Sequence, residues 1–150
     1  MRVVIQRVSH CEVVVDGTQV GAIGLGLAVL LGIEASDTQE DIDWLCGKIS
    51  RLRIFDDEAG VMNLDINQAG GELLVISQFT LYASTKKGNR PSYIRSAGET
   101  FARPMYEQFL ATAEQTLGRK VERGIFGADM KVSLTNDGPV TICIDSKNRE

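Results

Sequence analysis

Residues 73–82 read LLVISQFTLY, and the placement of this run decides the fold. Its apolar density is that of a strand from the middle of a sheet, so the reading predicts a central strand over 73–83. Ser77, Gln78 and Thr80 stand where further aliphatic residues are expected. Alternation puts Ser77 on the face of Val75, Phe79 and Leu81, and Gln78 and Thr80 on the face of Ile76 and Tyr82. A buried amide or hydroxyl without a partner costs about 1–3 kcal/mol, so such groups are either bonded or turned toward a cavity. Two readings follow: cross-strand hydrogen bonds within the sheet, or a pocket floor where polar groups converge on a ligand.

Upstream, Val3 and Ile5 alternate with Val4, Gln6 and Val8 to give an opening strand. Residues 12–15 and 18–23 flank Asp16-Gly17, the positive-φ pair of a tight hairpin. GLGLAVLLGIE (24–34) reads as a buried strand; its glycines precede a strand and not a helix, which excludes a dinucleotide loop. Ser36 with Gln39 forms a capping box, and Ile42, Leu45, Ile49 and Leu52 recur at helical spacing, predicting a helix over 38–53. FDDEAG (55–60) is a turn, and VMNLDINQAGG (61–71) a short strand and a loop. The acids of FDDE could hold a cation; an acidic turn is the plainer reading.

Downstream, a second helix is expected over 103–118, with Pro104 in its first turn and Gly118 as its stop. Its buried stripe would be Met105, Phe109, Ala113 and Leu117. MKVSLT (130–135) and VTICID (140–145) close the chain as two strands around Asn136-Asp137-Gly138-Pro139. A Gly-Pro turn is trans by default, although X–Pro bonds alone adopt cis at appreciable frequency. There is no repeat or linker. The expected fold is a single mixed α/β domain over 1–150, a largely β core with two helices on one face.

Composition excludes several classes. With 43% hydrophobic and 24% charged residues the chain is neither disordered nor membranous. No apolar run approaches the roughly 20 residues that span a bilayer. The opening MRVVIQRVSHCEV shows no signal-peptide pattern, and Cys11, Cys46 and Cys143 are odd in number and far apart. Reduced, buried cysteines and a cytoplasmic location are therefore expected. The net charge of −4 gives no global attraction to nucleic acid. One segment runs against it: STKKGNRPSYIR (84–95) carries Lys86, Lys87, Arg90 and Arg95 with no acid. It reads as a solvated loop, or, with Tyr93 interleaved, as a contact for a short stretch of nucleic-acid backbone.

His10 is the sole histidine, expected at a turn after the first strand, so a two-histidine zinc site is impossible and a Ser-His-Asp triad would have to use it. No metal-ligand spacing or phosphate-binding loop is present, and neither metal nor cofactor is expected. An enzyme built from these residues works without the usual general bases.

Ser77-Gln78-Phe79-Thr80-Leu81 and Asn136-Asp137-Gly138-Pro139-Val140-Thr141 resemble the two signature motifs of the D-aminoacyl-tRNA deacylases, formerly called D-tyrosyl-tRNA deacylases. RVVIQRVSHCEVVVDG (2–17), KKGNRPSY (86–93) and FGADM (126–130) resemble the same family in the same order. The resemblance implies a homodimeric hydrolase that removes D-amino acids, and glycine, from tRNA. It implies that Ser77, Gln78, Phe79 and Thr80 line a pocket for the 3′-terminal adenosine and the aminoacyl group, with Phe126 and Met130 nearby. It further implies that a cis Gly138-Pro139 pair, supported by Arg7, projects into the partner subunit's pocket and crowds out L side chains. Lys86, Lys87, Arg90 and Arg95 are expected to guide acceptor-stem phosphates, with tRNA and a second copy as partners, and neither DNA nor membrane.

The implied substrate suits a chain without a base. An aminoacyl ester is already activated and its neighbouring 2′-hydroxyl can assist water, so the protein need supply only position and oxyanion donors near Phe79 and Thr80. Thr80 as a covalent nucleophile is the sharper alternative, but no His, Lys or α-amine is visible to activate it. The competing functions are a non-catalytic RNA-binding module and a small-molecule hydrolase.

Overall fold

The computed structural model describes residues 1–150. The chain opens with a hairpin extended into a third strand. Strand β1 (Arg2–Val15) turns at Asp16 (φ 49°) and Gly17 (φ 78°) into β2 (Thr18–Ile23), and β3 (Gly26–Gly32) follows. β2 and β3 pair one after the other with the same side of β1: Val15↔Thr18 to Cys11↔Ile23, then Val8↔Gly26 to Arg2↔Gly32. A parallel strand, β6 (Glu72–Ser77), runs beside β3, and the two-residue β7 (Glu122–Arg123) lies beside β6. β8 (Lys131–Asp145) takes the other side of β1, antiparallel.

The sheet curls until β2 meets β7. Gly21 lies against the Arg123 backbone, where any Cβ would overlap the carbonyl oxygen. Curling gives the sheet an inside, filled by Val8, Cys11, Val13, Ile23, Ala28, Leu74 and Ile76. Its other face presents Val3, Ile5, Leu27, Val29 and Leu31 to the two helices, α1 (Gln39–Arg51) and α2 (Glu99–Leu117), both on that face as expected. In α1 the buried residues Ile42, Leu45, Cys46 and Ile49 keep helical spacing, and Tyr106, Phe109, Leu110 and Ala113 do so in α2. β4 (Phe55–Asp56) and β5 (Met62–Leu64) form a small separate ladder. No helix is long and apolar enough to cross a membrane.

Four local expectations change. The cap of α1 is Thr38, whose N–H donates to Asp41 Oδ2 at 2.8 Å, and not Ser36 with Gln39. Asp37 accepts from the Glu34 N–H at 2.8 Å and closes a turn over 34–37, so the helix starts beyond Ser36 and ends before Leu52. α2 begins at Glu99, ahead of the predicted 103, which places Pro104 inside the helix. Gly98 caps it, its carbonyl taking the N–H groups of Phe101 and Ala102, and Pro104 sits on the solvent side. Gly118 ends α2 in the left-handed region (φ 70°), as read.

The central strand is shorter than 73–83. β6 ends at Ser77, and Phe79–Tyr82 form one turn of 3₁₀ helix. β7 pairs only with Leu74 and Val75, so beyond them β6 has a neighbour on one side alone, and that ladder ends with the Gln78 N–H on Leu31 O (2.7 Å). The last two predicted strands are a single one, β8, both halves running along β1 with the Asn-Asp-Gly-Pro loop as a bulge between them.

Candidate active site

Where β6 stops, a cleft of about 420 Å³ opens. Its floor is aliphatic, from Leu31, Ile33 and Ile76. Ser77, Gln78 and Phe79 make one wall, the run Phe126–Met130 the opposite one, and Ala97, Glu99 and Ala102 the lip. The end of a strand, a turn and the start of a helix thus converge on one concavity, mostly apolar with a few polar groups, as small-molecule sites are.

The polar residues of 73–82 are therefore at a break in the ladder, beside a cavity. Ser77 and Gln78 are half-buried along the cleft wall. Gln78 donates through Nε2 to Thr80 Oγ1 at 2.5 Å, and Thr80 itself lies one step outside the cleft lining. Phe79 is 56% exposed at the mouth, and its carbonyl accepts from Ser96 Oγ at 2.7 Å. Phe79 and Thr80 open the 3₁₀ turn, so their N–H groups take no acceptor within it. Sequence reasoning placed the oxyanion donors on a strand edge; the turn start offers the same two N–H groups in a different setting.

Gly138 and Pro139 lie elsewhere. Gln6 pairs with Thr141 and Val8 with Asn136, which leaves residues 137–140 facing Arg7 alone. Arg7 is only 7% exposed; its Nε donates to Asp137 O (2.8 Å), and its Nη1 to Ile54 O (2.7 Å) and Asp56 Oδ1 (3.3 Å). Asn136 closes the loop on itself, Oδ1 accepting from the Val140 N–H (2.7 Å) and Nδ2 donating to Thr141 Oγ1 (2.9 Å). The Gly138-Pro139 peptide is cis, and Gly138 has φ 147°. A Cβ there would stand 2.8 Å from Val140 Cγ2 and 3.3 Å from the Arg7 guanidinium. Gly138 and Pro139 are exposed, and no residue of 136–140 lines the cleft of its own chain. The structure thus joins Ser77, Gln78, Phe79, Phe126 and Met130 in one place, and Arg7, Gly138 and Pro139 in another.

The basic segment is an ordered arm. Ser84 and Ser92 exchange both backbone hydrogen bonds (2.8 and 2.9 Å) and close the loop 85–91, with Lys86, Lys87 and Arg90 exposed on it. Arg95 differs from these three: it pairs with Glu34 (3.3 Å) and lies 5.3 Å over the Tyr82 ring. Ser96 bridges to Glu34, which seats the arm's return at the end of β3.

The remaining candidates fall into structural roles. Asp57 accepts from the N–H groups of Ala59 and Val61 and from Asn63, so the acids of 55–58 close their own turn and brace Arg7. Burial pushes the Cys11 thiol up to about 11 and the Cys46 thiol up to about 12, as inert core residues. Cys143, expected to be buried, is exposed on β8 because that strand lies at the sheet's open edge. His10 is exposed within β1, at a register shift opposite β8, and not at a turn after it. Of the cleft residues that sequence reasoning missed, Leu31, Ile33, Ala97, Ala102 and Val132 are apolar and Glu99 is a lone acid at the start of α2; only the three-dimensional meeting of β3, α2 and β8 marks them.

The family model described as D-Tyr-tRNA(Tyr) deacylase matches residues 4–145. The D-aminoacyl-tRNA deacylases of Bacteroides thetaiotaomicron and Flavobacterium johnsoniae are each 61% identical over 150 residues, covering 100% of both chains. That of Dechloromonas aromatica is 58% identical over 147 residues, covering 98% of each. Among solved structures, the c-Myc DNA Unwinding Element Binding Protein superposes with a TM-score of 0.92 at 39% identity, over 97% of this chain and 98% of that one. A probable eukaryotic D-amino acid tRNA deacylase superposes with a TM-score of 0.82 over 95% and 97%; at 16% identity it speaks for the fold alone.

Proposed function

The chain belongs to the D-Tyr-tRNA(Tyr) deacylase family, and from that premise we propose that it hydrolyses the ester of D-aminoacyl-tRNA, and of mischarged glycyl-tRNA, releasing the amino acid and tRNA. The observation that carries the reading is the cleft at the end of β6, half-walled by the first signature motif and lacking any histidine. Such a cleft suits a substrate that brings its own reactive groups.

Water adds to the ester carbonyl carbon and the bond to the ribose 3′-oxygen breaks. The proton shed by water reaches that leaving oxygen through the neighbouring 2′-hydroxyl, so no protein base is required. The N–H groups of Phe79 and Thr80 face the developing oxyanion, a contribution that in other hydrolases is worth about 10²–10³ in rate per donor. Ser77, Gln78, Phe126 and Met130 hold the terminal adenosine and the aminoacyl group.

Chiral selection completes the site from a second copy. In the proposed homodimer the loop 137–140 of one protomer enters the cleft of its partner, and its backbone occupies the space an L side chain would need. The support is that this loop is exposed, braced by the buried Arg7, and placed on a strand whose outer edge has no partner within the chain. Lys86, Lys87 and Arg90 lead the acceptor-stem phosphates toward the cleft, with Arg95 anchoring their arm. A tRNA substrate puts the work in the cytoplasm.

The test is hydrolysis of D-tyrosyl-tRNA and L-tyrosyl-tRNA by the purified protein. Turnover of the D ester alone is expected; no turnover, or equal turnover of both, overturns the reading. A D-aminoacyl-tRNA lacking the terminal 2′-hydroxyl should be a poor substrate, and normal hydrolysis of it removes the 2′-hydroxyl from the mechanism.

A further inference from the structure

At the mouth of the cleft the chain leaves large apolar side chains in solvent. Phe79 is 56% exposed, Tyr93 39% and Ile94 90%. The Phe79 and Tyr93 rings meet edge to face, centroids 5.0 Å apart at 71°, so the pair is a formed surface and not two loose side chains. Two ties hold it: Ser96 Oγ donates to Phe79 O (2.7 Å), and the Ser96 N–H to Tyr93 O (2.9 Å). Single exposed apolar residues need no explanation, but a braced aromatic pair with a fully exposed isoleucine beside it does.

The surroundings identify the occupant. Tyr93 and Ile94 lie on the arm that carries Lys86, Lys87 and Arg90, none of which is among the cations that pair with carboxylates in this chain. On a protein of net charge −4, this is an apolar step flanked by unneutralised positive charge. A peptide or a second copy of an acidic chain has no general need of both features. A single-stranded nucleic acid does, because its bases stack on aromatic faces while its backbone follows cations. Phe79 also lines the cleft, so the step is continuous with the space proposed above for the terminal nucleoside.

We propose that the Phe79–Tyr93 pair, edged by Ile94, stacks the base immediately 5′ of the substrate's terminal adenosine. This rests on the deacylase reading and adds a second nucleotide to it. The terminal unit enters the cleft, the next base lies on the aromatic step, and the following phosphates meet the arm. Recognition at the step needs no contact to a base edge, as every base has a face to stack.

The test compares two minimal substrates, the D-tyrosyl ester of adenosine and that of the dinucleotide cytidylyl-adenosine. For the wild type, the dinucleotide should lower KM about tenfold, the ordinary worth of one base on an aromatic side chain. Tyr93→Ala should reduce that advantage to less than about twofold, and Tyr93→Trp should keep it. An advantage missing in the wild type, or unchanged in Tyr93→Ala, overturns the proposal. So does a change of oligomeric state in Tyr93→Ala by light scattering, which would give the patch to a second copy. If the wild type hydrolyses neither ester nor D-tyrosyl-tRNA, it is the deacylase reading that has failed. The step is then judged by a dinucleotide carrying 2-aminopurine 5′ of adenosine: quenching by the wild type and not by Tyr93→Ala supports it, and equal or absent quenching overturns it.

Discussion

Residues 77–81 and 136–141 are both places where a strand of the main sheet gives way, and they do so in opposite senses. β6 stops, and the chain turns into a 3₁₀ helix that holds its polar side chains half-buried against a cavity. β8 does not stop. It bulges over 137–140 and resumes its pairing with β1, leaving the loop's backbone outside. In the first region side chains shape a space, with Gln78 on Thr80 and Ser77 on the wall. In the second the side chains serve the backbone: Asn136 closes the loop and Arg7 clamps it from within. One region is a receptacle and the other a rigid projection, and no residue of the projection reaches the receptacle of its own chain. In the homodimer proposed above, it is the second copy that brings them together.

The contrast between receptacle and projection breaks most severely at Arg7. Arg7→Met removes a buried guanidinium that bonds the carbonyls of Asp137 and Ile54, and bonds from charged donors are each worth about 1.5–3 kcal/mol. A stability loss of about 3 kcal/mol in urea titration is expected, and hydrolysis of D-tyrosyl-tRNA should fall at least 100-fold at temperatures where the variant remains folded. Activity within threefold of the wild type would mean that the loop needs no clamp.

Gly138→Ala disturbs the projection alone. The new Cβ meets Val140 and the guanidinium at a backbone angle that L side chains rarely adopt. Because the loop is exposed, stability should fall by only about 1–3 kcal/mol. A shift of the loop near 1 Å is expected to lower turnover about 100-fold and to raise the relative hydrolysis of L-tyrosyl-tRNA. Unchanged D/L discrimination at full turnover would detach chirality from this loop.

These two regions were not equally legible in the sequence. The hairpin from β1 to β2 followed from period-two alternation and Asp16-Gly17, and the end of α2 from Gly118, because each is decided by neighbours in the chain. The end of β6 comes where its last ladder, with β3, runs out at Leu31, a strand far back in the chain that no window around Ser77 contains. The single strand β8 looked like two because a turn sequence such as Asn136–Pro139 signals a reversal of direction, whereas pairing with β1 on both sides of it carries the chain straight on. The polar residues of 77–80 announced that something unusual happens there, but not which. The aliphatic floor of the cleft was silent, since Leu31 and Ile33 resemble any other core residue until α2 leaves a space beside them. Arg7 carries no local signal in the opening strand, and only the family resemblance pointed to it.

A third change leaves both regions intact and alters the approach to them. Reversing Lys86 and Lys87 to Glu should weaken tRNA binding about tenfold at low salt. It should also lower the slope of log K against log salt by about 2, roughly one unit for each phosphate no longer neutralised. Equal affinity at low salt would take the arm out of the tRNA path, leaving the cleft and loop to bind unaided.

The smallest effect is expected at the residue with the most suggestive chemistry. Thr80 has a hydroxyl one step from the cleft, and a nucleophile there would move the reaction from the substrate to the protein. Its one side-chain partner is the Gln78 amide, which donates to Oγ1. An amide is no base in either orientation, so nothing in that hydrogen bond can take the threonine proton. The hydroxyl instead holds the Gln78 side chain against the wall, a neutral hydrogen bond worth about 0.5–1.5 kcal/mol. Thr80→Val keeps the shape and removes that bond, so turnover of D-tyrosyl-tRNA should stay within about tenfold of the wild type. Loss of an acting nucleophile costs far more, about a thousandfold and upward. Single-turnover assays with saturating enzyme separate these ranges, and a loss of the larger size with tRNA binding intact would put the hydroxyl, and not the backbone around it, at the centre of the chemistry.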